Sequence, residues 1–266
     1  MKRAMCYNVY SMNSDELNTI AWNKEVKRNN YWTRPVTKEA IEEARKGNLT
    51  LPFLVDKPMR KDWIDQLGNE VLLVGAGGGQ QAPLLSAYGK KVTLIDISDM
   101  QLKQDEYVKN RDNLTFDIIQ GSMSERLNFN ANSFDSVVNP VSINFIKNPK
   151  YFYEEVKRVL KPNGIFITAF ANPALYMFSP KALEKGKMKI KYTLPFDADI
   201  SLSDKKRKKM ISQMDTFEYS HLLQTLIGNL IDLGFSITGF DTAESDFEPI
   251  DSFLKECYIA IKANKL

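Results

Sequence analysis

Four glycines and one aspartate carry the first chemical signal in this chain of 266 residues. Gly75, Gly77, Gly78 and Gly79 crowd together directly behind the apolar run Glu70 to Val74. Such density implies a backbone that takes positive φ or passes very close to a ligand. Asp96 closes the next apolar run, Lys91 to Ile95. In an open parallel sheet, ligands bind beyond the carboxyl ends of the strands, where the first strand–helix turn bares its amides. An acid at the tip of the neighbouring strand can accept hydrogen bonds from both ribose hydroxyls of an adenosine. Residues 70–96 therefore predict a strand, a glycine-rich turn, a helix over Gln80 to Tyr88 stopped by Gly89, and a second strand, built around a nucleoside cofactor.

Other residue types point to the reacting end of such a site. His221 is the only histidine, and histidine is the natural proton acceptor near neutral pH. It opens a helical pattern running to Leu233, so a catalytic base and a helix-start residue that caps or packs are both open readings. Asn139-Pro140-Val141-Ser142 follows a fourth apolar run, with Asn144 just beyond, where amides can orient a substrate. Trp22, Trp32 and Trp63 are all the tryptophans, and with Tyr7, Tyr10 and Tyr31 they precede the first core strand. Singly they suit a helical core. Together, and Tyr31 and Trp32 above all, they suit the wall of a substrate pocket.

The elements that must position these groups follow from the pattern. Helices are expected from Ser14 and from Thr37 to Gly47, forming an N-terminal helical cap over residues 1–67. A helix from Asp99 to Asn110, a strand from Leu114 to Ile119, a strand from Phe134 to Val138, a helix from Pro149 to Leu160 and a strand from Ile165 to Phe170 come next. Strands alternating with helices at this spacing specify an α/β fold with a doubly wound, mostly parallel sheet. Residues 172–216 break the rhythm with Pro173, Pro180, Pro195 and two lysine-rich runs; lying beside the strand tips, they are expected to form a lid. The lysine runs suit either a solvated helix face or an acidic substrate or partner. Phe235 to Phe240 and Cys257 to Lys262 lack a helix between them and should pair as an antiparallel hairpin, completing seven strands.

Four landmarks stand in order along this framework: Val74-Gly75-Ala76-Gly77-Gly78-Gly79, Asp96, Gly121-Ser122-Met123 and Leu160-Lys161-Pro162-Asn163-Gly164. Through them, residues 65–262 resemble the class I S-adenosylmethionine-dependent methyltransferases. The first is similar to that family's glycine loop, Asp96 to its ribose acid, the third to its adenine-edge turn, usually Gly-Asp-Ala or Gly-Asp-Met, and the fourth to its L-x-P-G-G turn. The resemblance implies S-adenosyl-L-methionine as cofactor, S-adenosyl-L-homocysteine as product, and a domain over residues 68–266. It places Gly75, Ala76, Gly77, Gly79 and Gln80, then Asp96, Ile97 and Met100, then Gly121, Ser122 and Met123, and finally Asn139, Pro140 and Val141 around the cofactor. Beside it, the residue types read above make His221, Asn139 and Asn144 the catalytic candidates, and Tyr31, Trp32, Ser142 and His221 the candidate substrate contacts. The chain departs from the family pattern at Leu73, where many members carry an acid, and at Ser122, where most carry Asp. Asn139-Pro140 matches only the first half of the N-P-P-aromatic signature of amino-group methyltransferases acting on nucleic-acid bases or glutamine.

The expected function is methyl transfer to oxygen or nitrogen of a small-molecule acceptor. Competing readings are a non-catalytic cofactor-binding module, motivated by Leu73 and Ser122, a nucleic-acid methyltransferase, motivated by the lysine runs, and a nicotinamide-dependent oxidoreductase, motivated by Gly77-x-Gly79-x-x-Ala82. A net charge of +3 is too small to argue for nucleic acid or a membrane surface; nucleic acid is not the expected partner, and no membrane is expected. Cys6 and Cys257 are too few for a disulfide scaffold or a cysteine zinc site, and with a single histidine they argue against a metal-assisted catechol-type reaction; no metal is expected, although carboxylates alone could bind magnesium. Lys2 and Arg3 lead into no apolar stretch, which with the scarce cysteines predicts a cytoplasmic protein. Nothing in the sequence sets an oligomeric state.

Overall fold

The computed structural model describes residues 12–55, 57–245 and 247–266, so Cys6, Tyr7 and Tyr10 lie outside the described residues. Helices α1 (Ser14–Lys27) and α2 (Lys38–Arg45) come first. Each starts where a side chain satisfies orphan backbone donors. Asn13 Oδ1 accepts from the Glu16 amide while Glu16 Oε2 accepts from the Asn13 amide, both at 2.9 Å, and the Thr37 hydroxyl accepts from the Ala40 amide. Two short strands, β1 (Pro52–Leu54) and β2 (Lys57–Pro58), then pair antiparallel before a single helical turn, α3 (Lys61–Ile64). The region ahead of the main sheet is thus not purely helical. Leu51 and Phe53, two residues apart, both bury their side chains, the spacing that an extended chain and not a helix brings to one face.

The main sheet holds seven strands: β3 (Glu70–Val74), β4 (Lys91–Asp96), β5 (Asp117–Gln120), β6 (Phe134–Asn139), β7 (Leu160–Ala171), β8 (Phe235–Ala243) and β9 (Tyr258–Lys265). Their order is β5-β4-β3-β6-β7-β9-β8. The first five are mutually parallel, and β9 enters antiparallel between β7 and β8. The order reverses between β3 and β6, and the crevice above that switch point is where an open sheet takes its ligand. The connecting helices are α4 (Gln81–Ala87), α5 (Asp99–Arg111), α6 (Pro149–Val159), α7 (Pro180–Leu183), α8 (Asp204–Gln213) and α9 (Asn229–Asp232), the last preceded by a π-helical turn at Gln224–Gly228. Two apolar layers sandwich the sheet. One gathers Ile41, Trp63, Leu73 and Leu84, and the other Leu72, Phe152, Tyr153 and Phe166. Successive residues of β3 point to opposite layers, which is why its run is apolar throughout.

Several boundaries differ from expectation, and the last two strands run on to Ala243 and Lys265. The third parallel strand starts only at Asp117, although Leu114 and Phe116 ahead of it are buried. The turn at Lys161–Gly164 lies inside β7: Phe134 pairs with Leu160 but Ser136 already with Ile165, so those four residues form an excursion from the ladder, with Asn163 at φ 62°. His221 itself precedes the helical stretch that begins at Gln224.

Residues 172–216 and the stretch just after them pack onto α1. Leu17 shares a buried apolar cluster with Ala198, Ile211 and Phe217. Asn18 clamps the same junction: its amide donates to the Phe217 carbonyl at 3.0 Å and accepts from the Phe217 amide at 2.7 Å. No helix among the described residues is long and apolar enough to cross a membrane.

Candidate active site

A cavity of about 1400 Å³ opens above the β3/β6 switch point, walled by the strand tips, α1, the Asn30–Thr37 loop and residues 172–216. That exceeds the 300–1,000 Å³ typical of one small ligand. Its floor is the glycine loop. Gly75 sits at φ +63°, and a Cβ there would come within 2.6 Å of Ser142 Oγ; one on Gly77 would stand 3.0 Å from the Asp96 carboxyl. Side chains at these positions would fill the crevice and push the acid aside.

Asp96 ends β4 at the edge of this floor and is almost fully buried. Its Oδ2 accepts from the Gly77 amide at 2.9 Å and its Oδ1 from the Ser98 amide at 2.8 Å. Burial pushes its pKa up, opposed by the donors at Ser98, Gly77 and Ile97. No basic side chain pairs with it among the described residues. A buried carboxylate of this kind has acceptor capacity left for two further donors, which matches a vicinal diol.

The glycine loop is fixed from behind by α5. Ser98 caps that helix, accepting from the Gln101 amide at 3.1 Å, and Asn23 of α1 accepts from the Ser98 hydroxyl at 2.7 Å. Asp105 Oδ2 accepts from the Gly78 amide at 2.8 Å. Asp105 Oδ1 and Gln101 Oε1, one turn apart on the same face, are both buried without a hydrogen-bond partner. Burial drives the Asp105 pKa well up, and the nearby Asp96 charge adds to it. A proton on Asp105 gives that face the donor it lacks.

The expected cofactor contacts divide in two. Gly75, Ala76, Gly77 and Gln80 line the cavity, as do Asp96 and Ile97, the turn Gly121-Ser122-Met123, and Pro140 with Val141. Gly79, Met100 and Asn139 do not. A Cβ on Gly79 would meet the Gln104 carbonyl at 2.9 Å, so that glycine serves helix packing. The Met100 amide donates to Asn23 Oδ1 at 3.2 Å. Asn139 is a fully buried strut: its amide donates to the Val74 carbonyl at 2.8 Å and to Ser142 Oγ at 2.7 Å, and its oxygen accepts from Thr168 at 3.0 Å. It holds the tips of β3, β6 and β7 together with no polar atom left for a substrate.

Sequence reasoning missed Asp15. This residue of the first turn of α1 lines the cavity, and its carboxylate accepts from Ser122 Oγ at 2.5 Å and from Ser124 Oγ at 3.1 Å. A carboxylate therefore stands beside the turn whose own acid is replaced by serine. The pair Ser14-Asp15 was legible only as a helix start.

The expected substrate contacts do not share one wall: Ser142 stands beside Gly75, and the Tyr31–Trp32 backbone borders the glycine loop, the Tyr31 carbonyl accepting from Gln80 Nε2 at 3.3 Å. Tyr31, Trp32, Ser142 and Asn144 line the cavity, with Tyr31 and Trp32 packed edge to face at 5.2 Å. Trp22 also lines it, edge-on to Phe145 at 5.3 Å, whereas Trp63 is buried in the core. Asn144 accepts from the Ala171 amide at 3.1 Å and donates to the Tyr176 hydroxyl at 3.0 Å. Tyr176 donates in turn to Glu218 Oε2 at 2.7 Å, and Thr216 donates to Glu218 Oε1 at 2.9 Å. Burial, reinforced by the Glu218 charge, raises the Tyr176 phenol well above its ordinary pKa. Neither Tyr176 nor Glu218 was singled out from sequence.

His221 stands elsewhere. It is buried, does not line the cavity, and its Nε2–H donates to the Ile146 carbonyl at 2.9 Å. Burial lowers its pKa below the ordinary histidine value. Of the two readings open from sequence, the geometry favours packing. Among the described residues no group of three His, Cys, Asp or Glu side chains is placed to hold a metal ion.

Comparison with known proteins bears on what binds here. A family model described as a methyltransferase domain matches residues 72–168, from β3 into β7. The chain is 38% identical over 243 residues to the uncharacterized methyltransferase YbaJ of Bacillus subtilis (strain 168), covering 91% of this chain and 93% of that protein. The chain belongs to the class I S-adenosylmethionine-dependent methyltransferases. S-adenosylmethionine is its cofactor. This methyltransferase is also 31% identical over 166 residues to a demethylmenaquinone methyltransferase of Tropheryma whipplei (strain Twist), covering 59% of this chain and 64% of that protein. Its fold matches the geranyl diphosphate C-methyltransferase of Streptomyces coelicolor A3(2), crystallised with Mg2+, geranyl diphosphate and S-adenosyl-L-homocysteine, at a TM-score of 0.57 and 14% identity over 96% of this chain and 99% of that one. The nicotinamide reading of Gly77-x-Gly79-x-x-Ala82 is set aside by this membership, in keeping with Gly79 facing α5 instead of the cavity.

Proposed function

We propose that this methyltransferase methylates oxygen or nitrogen of a small-molecule acceptor bound between Asn144 and residues 172–216. One observation carries the reading: a single cavity has Asp96 and the glycine loop at one end and the Asn144–Tyr176–Glu218 chain, set among aromatic rings, at the other. The name of the Tropheryma relative, a demethylmenaquinone methyltransferase, supports a small-molecule acceptor.

In this reading Asp96 holds the ribose, the Gly75–Gly77 backbone lies along the methionine part, Ile97 and Met123 flank the adenine, and Ser122 with Asp15 meets its edge. The bound cofactor supplies an activated methyl group. The protein's task is to align the acceptor and exclude water. Asn144 is fixed by Ala171 and so presents Tyr176 at one orientation. Glu218 accepts the proton that an acceptor hydroxyl or ammonium must lose, with Thr216 and Tyr176 fixing its carboxylate. Residues 172–216 serve as the lid over a domain spanning 68–266, and residues 1–67 as the cap. His221 buttresses the Ile146 backbone.

The test is incubation with isotope-labelled cofactor and a broad metabolite extract, comparing wild type with Glu218→Gln. A labelled product that appears with wild type and falls by about 10²-fold or more in the variant, with unchanged S-adenosylhomocysteine affinity, is the expected outcome. Equal product from both proteins would remove Glu218 from the chemistry.

A further inference from the structure

Away from Asn144, the aromatic wall leads to a cluster of cations. Tyr176 stacks on Phe196 at 5.8 Å between ring centroids, and Phe196 meets Tyr192 edge to face at 5.0 Å. Beyond Tyr192 stand two lysines: Lys191 Nζ lies 4.5 Å and Lys206 Nζ 5.6 Å from the centre of its ring. Lys206 Nζ also approaches the Tyr192 hydroxyl at 3.4 Å. Lys181 and Lys209 line the same cavity. None of these four lysines pairs with a carboxylate among the described residues. The acids of the lining are mostly engaged: Asp15 by two serines, Asp215 by Lys24, and Glu218 by Tyr176 and Thr216, which leaves Glu184 as the counter-charge nearest in sequence to Lys181.

We infer that the acceptor carries an anionic group, a carboxylate or a phosphate ester, held by Lys191 and Lys206 at the outer end of an apolar body that lies along Tyr192, Phe196 and Tyr176. The inference rests on the acceptor reading given above and specifies its chemistry. Cations kept close together without carboxylates repel one another, and an anion between them relieves that repulsion. The Tyr192 phenol registers the same field: burial works to raise its pKa, but Lys191 and Lys206 outweigh burial and hold it below the ordinary tyrosine value. The aromatic faces add apolar contact for the body of the ligand and leave its charged end at the lysines. The order along the wall fixes a polarity. The end to be methylated points to Asn144 and Glu218, and the anionic end points out past Tyr192.

The full chain, saturated with S-adenosylhomocysteine, would be titrated with the neutral fluorescent probe N-phenyl-naphthylamine. The probe would then be displaced by naphthyl phosphate, naphthoate or naphthol, which share one ring system and differ in charge. Two exposed lysines, each contributing up to about fivefold, make the anions roughly tenfold better competitors than naphthol. In the double variant Lys191→Gln/Lys206→Gln that advantage disappears, while naphthol competition and S-adenosylhomocysteine affinity stay at wild-type values. A preference for naphthyl phosphate over naphthoate identifies a phosphate ester, and the reverse a carboxylate; either supports the inference. Equal competition by all three in wild type, or an anion advantage that survives in the double variant, overturns it and leaves the acceptor cavity standing. Failure of the probe to bind at all overturns both readings together.

Discussion

Replacing Asp96 by asparagine asks whether this carboxylate is the ribose anchor and whether the site tolerates its loss as a fold. The side chain keeps its shape but loses its charge and gains a donor. In the free protein the two backbone amides that now donate to it, from Gly77 and Ser98, need two acceptors. Asparagine provides one, so one buried N–H is left facing an N–H, a penalty of about 1–3 kcal/mol. Against this, Asp96 is buried and burial disfavours its charged form, so removing the charge recovers part of that penalty. The two nearly offset, and the unfolding midpoint without ligand should move by roughly 4 °C or less. Binding has no such offset. Hydrogen bonds to a charged acceptor contribute about 1.5–3 kcal/mol and neutral ones about 0.5–1.5. Converting two ribose bonds from charged to neutral, with one reversed in polarity, costs about 2–3 kcal/mol, or roughly 30- to 150-fold in Kd. Calorimetric titration with S-adenosylhomocysteine measures this, with a thermal melt of the unliganded variant beside it. An unliganded midpoint near wild type together with a Kd within threefold of wild type would refute the assignment of Asp96 and, with it, the orientation of the cofactor along the floor.

Three further perturbations probe the surroundings. Asp105→Asn should stabilise the protein at neutral pH: a folded-state pKa raised far above the unfolded value means that the folded state holds a proton the unfolded state has lost, so wild-type stability falls as pH rises from the ordinary aspartate range towards the raised value. The midpoint advantage of the variant should therefore shrink as pH is lowered towards 4, roughly the unfolded aspartate value, and a pH-independent difference would contradict a protonated Asp105. Gly77→Ala places a Cβ 3.0 Å from the Asp96 carboxyl and 2.9 Å from Gln101 Cβ. That crowding should cost about 1–3 kcal/mol in denaturant unfolding and weaken S-adenosylhomocysteine at the same time, and a variant that binds normally would show that the loop is free to yield. Asp15→Asn should leave the unliganded midpoint within about 2 °C of wild type but weaken S-adenosylhomocysteine about three- to tenfold; an unchanged Kd would detach α1 from the adenine end.

What was legible in the sequence was what is local. The run Glu70 to Asp96 contains its own strand, turn, helix and strand, and the structure joins β3 to β4 in the register that brings Val74 beside Ile95 and leaves Asp96 at the tip. The final antiparallel pair was legible because no α-helical pattern separates its members, and among the described residues the structure puts only a short 3-10 turn, Ile250–Ser252, between them. The other half of the cavity is assembled over long separations. Asp15 meets Ser122 across 107 positions, and Asn18 meets Phe217 across 199, and no spacing rule links such pairs. Tyr176 and Glu218 were ordinary residues of an irregular stretch until Asn144 connected them to the sheet. His221 drew attention through its chemistry, but burial beneath Ile146 is a tertiary fact that a lone histidine does not announce. Asn139 shows the converse error: a side chain at the right strand tip whose every polar atom is already used by Val74, Ser142 and Thr168.

Asp15 touches the turn beside the cofactor end, and only two and three residues later Leu17 and Asn18 are locked into Ala198 and Phe217 on the acceptor side. One turn of one helix thus serves as a latch for two doors. With residues 172–216 as the proposed lid, lifting them to discharge a methylated product would pull on α1, and through α1 on the turn at Ser122. On that proposal the two departures would be coupled through one helix, and turnover is expected to slow with solvent viscosity; a viscosity-independent rate would uncouple them.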